Sequence, residues 1–202
     1  MSKIEMVIFD AGGVLHENNS AVSEDLMKEL SIGKGVISQI WTEEIPLLGS
    51  GKIGESEFWQ LVSEKHGLRK VDPVENLLGR AFAEQLTPIK GIGDILGGLA
   101  ELGVRTAVLS NTIEPHARAL REAGLYDSFY EVLLSYEIGL RKPNPGIYRY
   151  ALETLKTKLE TTIFIDDDPK NTRIATQMGI RGITFTSPNQ LESDLRRHIP
   201  NL

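Results

Sequence analysis

Chemically reactive side chains stand at, or shortly after, the ends of short apolar segments of the sequence. In chain order they are a carboxylate, a hydroxyl with a neighbouring amide, an ammonium group and three adjacent carboxylates: Asp10, Ser110 with Asn111, Lys142, and Asp166, Asp167 and Asp168. An oxygen-rich set of ligands suits Mg²⁺, which prefers hard oxygen donors. A hydroxyl and an ammonium group can hold a phosphate, and a carboxylate near a cation can act as a nucleophile. The set therefore points to Mg²⁺-dependent chemistry on a phosphate.

Each of these residues also has an ordinary structural explanation. An Asp after a strand is often a turn residue, Ser110 is a suitable helix cap, and Lys142 fits a solvated loop. Asp168 precedes a proline and is best explained as a turn or cap residue. Three adjacent acids are harder to explain in this way, because like charges held together raise one another's pKa unless a cation lies among them. The joint pattern therefore favours a functional site.

The elements that would position these residues alternate along the chain. Five short apolar segments are predicted strands, and helical patterns separate the last four: 6–9, 106–110, 131–135, 162–166 and 182–185. This alternation predicts a Rossmann-like three-layer α/β/α core with a parallel sheet. Ligands of such sheets bind beyond the carboxyl ends of the strands, which is where the reactive residues stand.

Residues 16–88 follow a different pattern, because they contain four helical stretches and no convincing strand. We therefore predict a core formed by 1–15 and 89–202 and a small helical cap domain formed by 16–88.

Composition narrows the range of functions. The chain has 202 residues, a net charge of -6 and no cysteine. The negative charge argues against a nucleic acid or an anionic membrane surface as partner. The lack of cysteine excludes disulfides, thiolate catalysis and cysteine-based zinc sites. No long apolar segment precedes Asp10, so we expect no signal peptide and no membrane span, and a cytoplasmic protein. Nothing in the sequence indicates an oligomeric state.

Four sequence motifs resemble those of a known superfamily. FDAGGVL, VLSNT, GLRKP and FIDDDPKN resemble motifs one to four of the haloacid dehalogenase-like (HAD) hydrolases, in family order and along the whole chain. The helical insert resembles the cap domain of that superfamily, and GKIGESEFWQLV resembles the cap sequence of small bacterial members. The resemblance implies hydrolysis of a small phosphorylated substrate through an aspartyl-phosphate.

The resemblance also implies a role for each motif residue. Asp10 would be the nucleophile, Ser110 would bind the phosphoryl oxygens with Asn111 beside it, and Lys142 would neutralise nucleophile and phosphate.

A second group of residues would form the metal site. Asp10, the backbone carbonyl of Gly12 and Asp167 would bind Mg²⁺, with Asp166 beside them and Asn171 in a supporting position.

Gly12 departs from the usual phosphatase pattern. Phosphatases of the superfamily usually carry a second Asp at this position, where it protonates the leaving group, and such a group is typically worth about 10²–10⁴ in rate. The carbonyl ligand survives the change, but the acid does not. Among the side chains, His16, Glu43, Glu44 and His66 are candidate substitutes, and water is the alternative to them.

Three functions are compatible with Gly12. The first is a phosphatase that lacks this acid, resembling a bacterial sugar-phosphate phosphatase branch, with a sugar phosphate or acyl phosphate as substrate. The second is a metal-independent 2-haloacid dehalogenase, which the cluster of acids disfavours. The third is a HAD-fold binding domain with weak or no activity. In each case the cap would select the ligand, and its candidate residues are Trp41, Glu43, Glu44, Phe58, Trp59 and His66.

Overall fold

A five-stranded parallel sheet forms the centre of the molecule. In the computed structural model, which describes residues 3–202, the strands are β1 (Met6–Phe9), β2 (Arg105–Ser110), β3 (Glu131–Leu134), β4 (Thr162–Asp166) and β5 (Arg181–Thr184). Their order is β3-β2-β1-β4-β5, and every neighbouring pair is parallel. The predicted α/β fold is confirmed, with strand bounds that differ from the prediction by one residue at most.

Eleven α-helices are found in the described residues. They are α1 (Ala21–Leu30), α2 (Lys34–Gln39), α3 (Ile45–Leu48), α4 (Glu55–His66), α5 (Leu77–Glu84), α6 (Ile92–Glu101), α7 (Glu114–Glu122), α8 (Ser135–Ile138), α9 (Pro145–Leu155), α10 (Pro169–Gln177) and α11 (Pro188–Arg196). Among the described helices, none combines the length and the apolar character needed to cross a membrane.

Strand β1 is buried on both faces, which explains its continuous apolar sequence. Val7 and Phe9 belong to one apolar cluster, together with residues of α6, α7 and α11. Met6 and Ile8 belong to a second cluster, which α9 and α10 complete. The alternation follows from the two-residue period of a strand, and it produces the three layers of the fold.

Helices α1 to α5 lie between β1 and β2 in sequence. The stretch GVISQIWTEEIPLL has the pattern of a single helix, but the structure divides it: α2 and α3 are separated by a π-helical turn, Ile40–Glu44. Pro46 lies in the first turn of α3 and has no backbone N–H to donate, so one continuous ladder of hydrogen bonds cannot form.

The two connections between the helical insert and the sheet run side by side. The Glu17 N–H donates to the Thr87 carbonyl and the Ile89 N–H donates to the Leu15 carbonyl, both at 2.9 Å. His16 also forms an isolated β-bridge with Pro88. The predicted boundaries of the cap fall at this crossing, and the division into two domains stays a prediction.

Candidate active site

Asp10 follows β1 at the carboxyl edge of the sheet. Its backbone N–H donates to the Ile165 carbonyl at 2.8 Å, which extends the pairing with β4. Its Oδ1 accepts hydrogen bonds from the Ala11 N–H at 2.7 Å and from the Lys142 Nζ at 2.8 Å. The carboxylate is almost buried, and burial raises the pKa of Asp10 to about 7 despite the lowering effect of Lys142.

Lys142 reaches Asp10 from the loop between α8 and α9. Asn111 fixes the backbone of this loop, because its Oδ1 accepts from the Lys142 N–H and its Nδ2 donates to the Lys142 carbonyl, each at 2.8 Å. The Asn111 side chain thus positions the lysine. Its predicted part in substrate binding stays a prediction.

Asp166 is the most completely bonded acid of the site. It is fully buried at the end of β4, and its Oδ2 accepts from the Lys142 Nζ at 2.6 Å. Asn171 Nδ2 donates to both carboxylate oxygens at 3.0 and 3.1 Å, and the Asp168 N–H donates to Oδ1 at 2.9 Å. The ammonium group is therefore held between the Asp10 and Asp166 carboxylates.

Asp167 faces the loop after β1. Its Oδ2 accepts from Asn18 Nδ2 at 3.1 Å, and partial burial raises the pKa of Asp167. Gly13, at a φ of 70°, packs so closely that a Cβ at this position would overlap the Asp167 carboxylate. Gly13 therefore serves both a left-handed turn and the close approach of Asp167.

Asp168 starts helix α10. Its Oδ1 accepts from the Lys170 N–H at 2.9 Å, which makes it the N-cap of that helix. The structural explanation of this residue therefore holds.

The three carboxylates form a group that can bind a metal ion. Asp10, Asp166 and Asp167 each offer an oxygen atom that lies within 4.8 Å of the other two. Their charge exceeds that of the one ammonium group, Lys142, which is paired with two of them. An excess of negative charge on oxygen donors fits a hard divalent cation.

A cavity of about 460 Å³ adjoins this centre, between the helical insert and the sheet. Gly12, Ser110 and Asn111 line it on the sheet side, and Trp41 and Phe82 line it on the side of the insert. The structure therefore brings Ser110 and Gly12 to one wall, where Ser110 is buried at the end of β2. Ligation of a metal by the Gly12 carbonyl stays a prediction.

The space beside Gly12 is occupied by two neighbouring side chains. A Cβ on Gly12 would lie 3.0 Å from Asn18 Oδ1 and 3.9 Å from His16 Cε1. A side chain at position 12 would thus meet Asn18 first, with the His16 imidazole beside it. Nδ1 of His16 lies 3.0 Å from the Glu17 carbonyl oxygen, and burial lowers the pKa of His16.

The other candidate substitutes for the acid lie elsewhere in the insert. Glu44 is buried and contacts Lys65 and His66, the latter at 3.5 Å, while Glu43 is bound to Lys65 at 2.6 Å. None of Glu43, Glu44 and His66 belongs to the described lining of the cavity, so this part of the hypothesis is corrected.

Two of the aromatic candidates from the insert serve its interior. Phe58 and Trp59 are buried against each other, with ring centroids 5.0 Å apart. Trp41 does line the cavity, and its Nε1 donates to Ser23 Oγ at 2.9 Å.

Sequence reasoning missed Phe82 and His116, whose rings stack at 4.2 Å in the cavity wall. Burial lowers the pKa of His116 to about 3. The first turn of α7 contains His116 and follows Ser110 closely, so its place near the edge of the sheet was a usable signal. Phe82 gave none, because it comes from the insert.

The sequence relationships agree with this site. Residues 4–179 match the family model of the haloacid dehalogenase-like hydrolases. The chain belongs to this family. The family resemblance of the four motifs is thereby confirmed.

Several relatives have named activities. Sesquiterpene phosphatase astK of Aspergillus oryzae is 28% identical over 192 residues, which are 94% of each chain. (S)-2-haloacid dehalogenase 1 of a Pseudomonas species is 29% identical over 83% of this chain and 78% of its own. Drimenol cyclase drtB of Aspergillus calidoustus is 24% identical over 95% of this chain, which spans only 36% of that protein.

A solved structure resembles the fold of this chain along most of its length. The HAD family enzyme bt-2542 of Bacteroides thetaiotaomicron, in complex with magnesium and inorganic phosphate, superimposes with a TM-score of 0.76. It is 25% identical, and the match covers 91% of this chain and 95% of that one.

Proposed function

We propose that this HAD hydrolase is a Mg²⁺-dependent phosphatase that acts on a small phosphorylated metabolite through an aspartyl-phosphate. The observation that carries the proposal is the group of Asp10, Asp166 and Asp167 with Lys142 between two of them, beside a cavity lined by Ser110. A nucleophile, a phosphate-binding hydroxyl and ligands for a cation are thus adjacent.

The residues have distinct roles in this reaction. An Asp10 oxygen attacks phosphorus, and the bond from phosphorus to the leaving oxygen breaks, so that the phosphoryl group passes to Asp10. Ser110 donates to the phosphoryl oxygens, and the Lys142 ammonium offsets the negative charge of nucleophile and phosphate. Water then attacks phosphorus, which restores the Asp10 carboxylate and releases inorganic phosphate.

A metal ion would be held by Asp10 and Asp167, together with the Gly12 carbonyl. When bound, Mg²⁺ supplies charge neutralisation for the phosphoryl oxygens and favours the ionised form of the nucleophile. Asp166 and Asn171 would support this site indirectly, because Asp166 holds Lys142 and Asn171 holds the Asp166 carboxylate at the end of β4.

The leaving group takes up its proton without an acid at position 12. A sugar 1-phosphate or an acyl phosphate needs this proton less, because its leaving oxygen carries negative charge more readily. Of the four candidate substitutes, His16 is the one beside the space that the missing acid would fill. We therefore retain His16 and discard Glu43, Glu44 and His66.

Two relatives support the phosphatase reading. One is named a sesquiterpene phosphatase, and bt-2542 was solved with magnesium and phosphate. The dehalogenase relative supports the alternative, in which Asp10 attacks carbon and displaces a halide. The dehalogenase reaction does not require the acidic residues at the end of β4, and an inert binding domain does not require the buried Lys142. We therefore rank both alternatives behind the phosphatase.

A phosphate-release assay tests the proposal directly. The panel contains sugar phosphates, acyl phosphates and an aryl phosphate, each with Mg²⁺ and with EDTA, for the wild type and for Asp10→Asn. Release that requires both Mg²⁺ and Asp10 supports the phosphatase. No release, combined with halide release from a 2-haloacid without metal, would establish the dehalogenase instead.

A further inference from the structure

We propose that the leaving group is an uncharged alcohol with an apolar face, so that the phosphoryl group is the one charged part of the substrate. The inference rests on the proposed phosphatase function. It concerns the part of the cavity beyond Ser110, which the leaving group of a phosphate held there must enter.

The described lining of the cavity offers no fixed cation to a second anionic group, because burial disfavours the charged form of its two histidines, His16 and His116. Among the described lining residues there is no lysine and no arginine, and Glu17 is the charged one. The nearby Lys142 is not available, because its ammonium group is buried between Asp10 and Asp166. A carboxylate or a second phosphate on the substrate would lose water without gaining a partner.

An aromatic surface forms one side of the cavity. Phe82 lies nearly parallel to His116, with an interplanar angle of 14°. His16 packs edge-on against Phe82 at 5.2 Å, and Trp41 lies 6.3 Å from His116. His116 is uncharged at neutral pH because burial lowers its pKa to about 3. Such a surface favours the C–H face of a sugar ring or a hydrocarbon.

The polar part of the lining consists of amides and hydroxyls. Asn19 and Gln85 hydrogen-bond to each other at 3.4 Å, and Ser23 accepts from Trp41. Amides and hydroxyls offer both donors and acceptors, as the hydroxyls of an alcohol do. A carboxylate accepts only, so the acceptor oxygens of this lining would find no donor in it.

Pairs of substrates that differ in one charge test this inference. 2-Hydroxyethyl phosphate and phosphoglycolate share a two-carbon skeleton, and glucitol 6-phosphate and 6-phosphogluconate share an open six-carbon chain. We expect kcat/KM to be about 10- to 100-fold higher for the member of each pair without a carboxylate. The carboxylate of the other member would be repelled by Glu17 and would lose its hydration in the cavity. For slow substrates, competition against p-nitrophenyl phosphate gives the affinity. Equal or higher kcat/KM for the charged members would overturn the inference.

Two chemical sources provide an uncharged alcohol with an apolar face, and a second comparison separates them. Sugar monophosphates and a prenyl monophosphate are assayed side by side. Preference for the sugars assigns the aromatic surface to ring stacking, and preference for the prenyl ester assigns it to hydrocarbon. A preference for bisphosphates or diphosphates over both would contradict the inference.

A charge introduced into the lining provides an independent test. Ser20 lines the cavity at its exposed rim and makes no side-chain cap bond, so Ser20→Lys should fold, with Ser20→Gln as the matched control. The lysine should reduce the preference for uncharged substrates at least about threefold, whereas the glutamine should not. Glu17→Gln should act in the same direction. An unchanged preference in both charge variants would contradict the inference.

Failure of the inference is distinguishable from failure of the proposed function. Turnover that depends on Asp10 and favours the charged members overturns the inference and leaves the phosphatase intact. Release of phosphate that persists in Asp10→Asn overturns both.

Discussion

The proposed catalytic centre differs in how its polar atoms are paired from the aromatic wall of the cavity, which Phe82 and His116 form together with His16 and Trp41. In the centre, Asp166 accepts hydrogen bonds from Lys142, Asn171 and a backbone N–H. In the wall, Nε2 of His116 is buried and has no hydrogen-bond partner among the described residues. The centre is therefore fixed by charge, whereas the wall is fixed by packing. Substitutions in the centre should therefore have large effects on activity or stability, and substitutions in the wall should have small ones.

The largest effect is expected for Asp10, the proposed nucleophile. Asp10→Asn should lower kcat by about 10³-fold or more, because the amide cannot act as the nucleophile. Its folding should change little, because the pKa of Asp10 lies near 7 and the asparagine resembles the protonated acid. Steady-state kinetics and thermal unfolding measure the two effects. Asp168→Asn is the matched control, since asparagine also caps helices, and equal loss of activity in both variants would contradict our assignment.

Loss of the buried ammonium group should be the largest effect on stability. Lys142→Met leaves Asp10 and Asp166 buried without their cation, which should lower the free energy of unfolding by about 3–5 kcal/mol. Urea unfolding measures this change. Lys170→Met, at an exposed lysine, should change the stability by less than about 0.5 kcal/mol. Similar values for the two variants would show that the centre is not fixed by charge.

A smaller effect should follow pH in the absence of divalent metal. Burial raises the pKa of Asp10 from its usual 3.8 to about 7, so the folded state binds this proton more tightly than the unfolded state. The corresponding stability is present below about pH 4 and is lost as the pH rises through about 7. Thermal unfolding in EDTA between pH 5 and 8 should show a decline that Asp10→Asn reduces. A decline of the same slope in the variant would assign it to other groups.

The smallest effect is expected in the aromatic wall, and its sign is opposite. His116→Phe keeps the stack on Phe82 and removes the unpaired Nε2, so the free energy of unfolding should rise by about 1 kcal/mol. Chemical denaturation measures it, with His116→Leu as a second variant that removes the nitrogen and adds less volume than phenylalanine. A loss of more than about 2 kcal/mol in both would show that the nitrogen has a bonded partner, and the contrast with the centre would fail.

The sheet was predictable from the sequence, because a strand buried on both faces is a continuous apolar run. The order of Asp10, Ser110, Lys142 and the acids after β4 also follows from the chain, since parallel strands end at one edge. The sequence could not show which of Asp166 and Asp167 is bonded to the lysine. Adjacent acids look alike, and only the pleat of β4 decides which one turns inward.

The stacking that forms the aromatic wall was not predictable, although the position of His116 was, because the stack arises where two separate parts of the fold meet. Phe82 comes from α5 and His116 from α7, and nothing in either segment refers to the other. The break at Pro46, by contrast, follows from the sequence, because a proline inside a helical stretch ends or kinks the helix. Reactive residues at strand ends can thus be predicted from the sequence, whereas the shape of the cavity depends on how the insert packs against the sheet.

The sheet order also determines when the catalytic centre can form during synthesis. Met6 pairs with Arg105 on one side and with Thr162 on the other, so β1 gains its second neighbour only when most of the chain has been made. Contacts between such distant segments close large loops and form late in folding. By the time β4 is available, Lys142 has already been synthesised. In a growing chain, Lys142 is therefore already present when the pairing of β1 with β4 buries the Asp10 carboxylate.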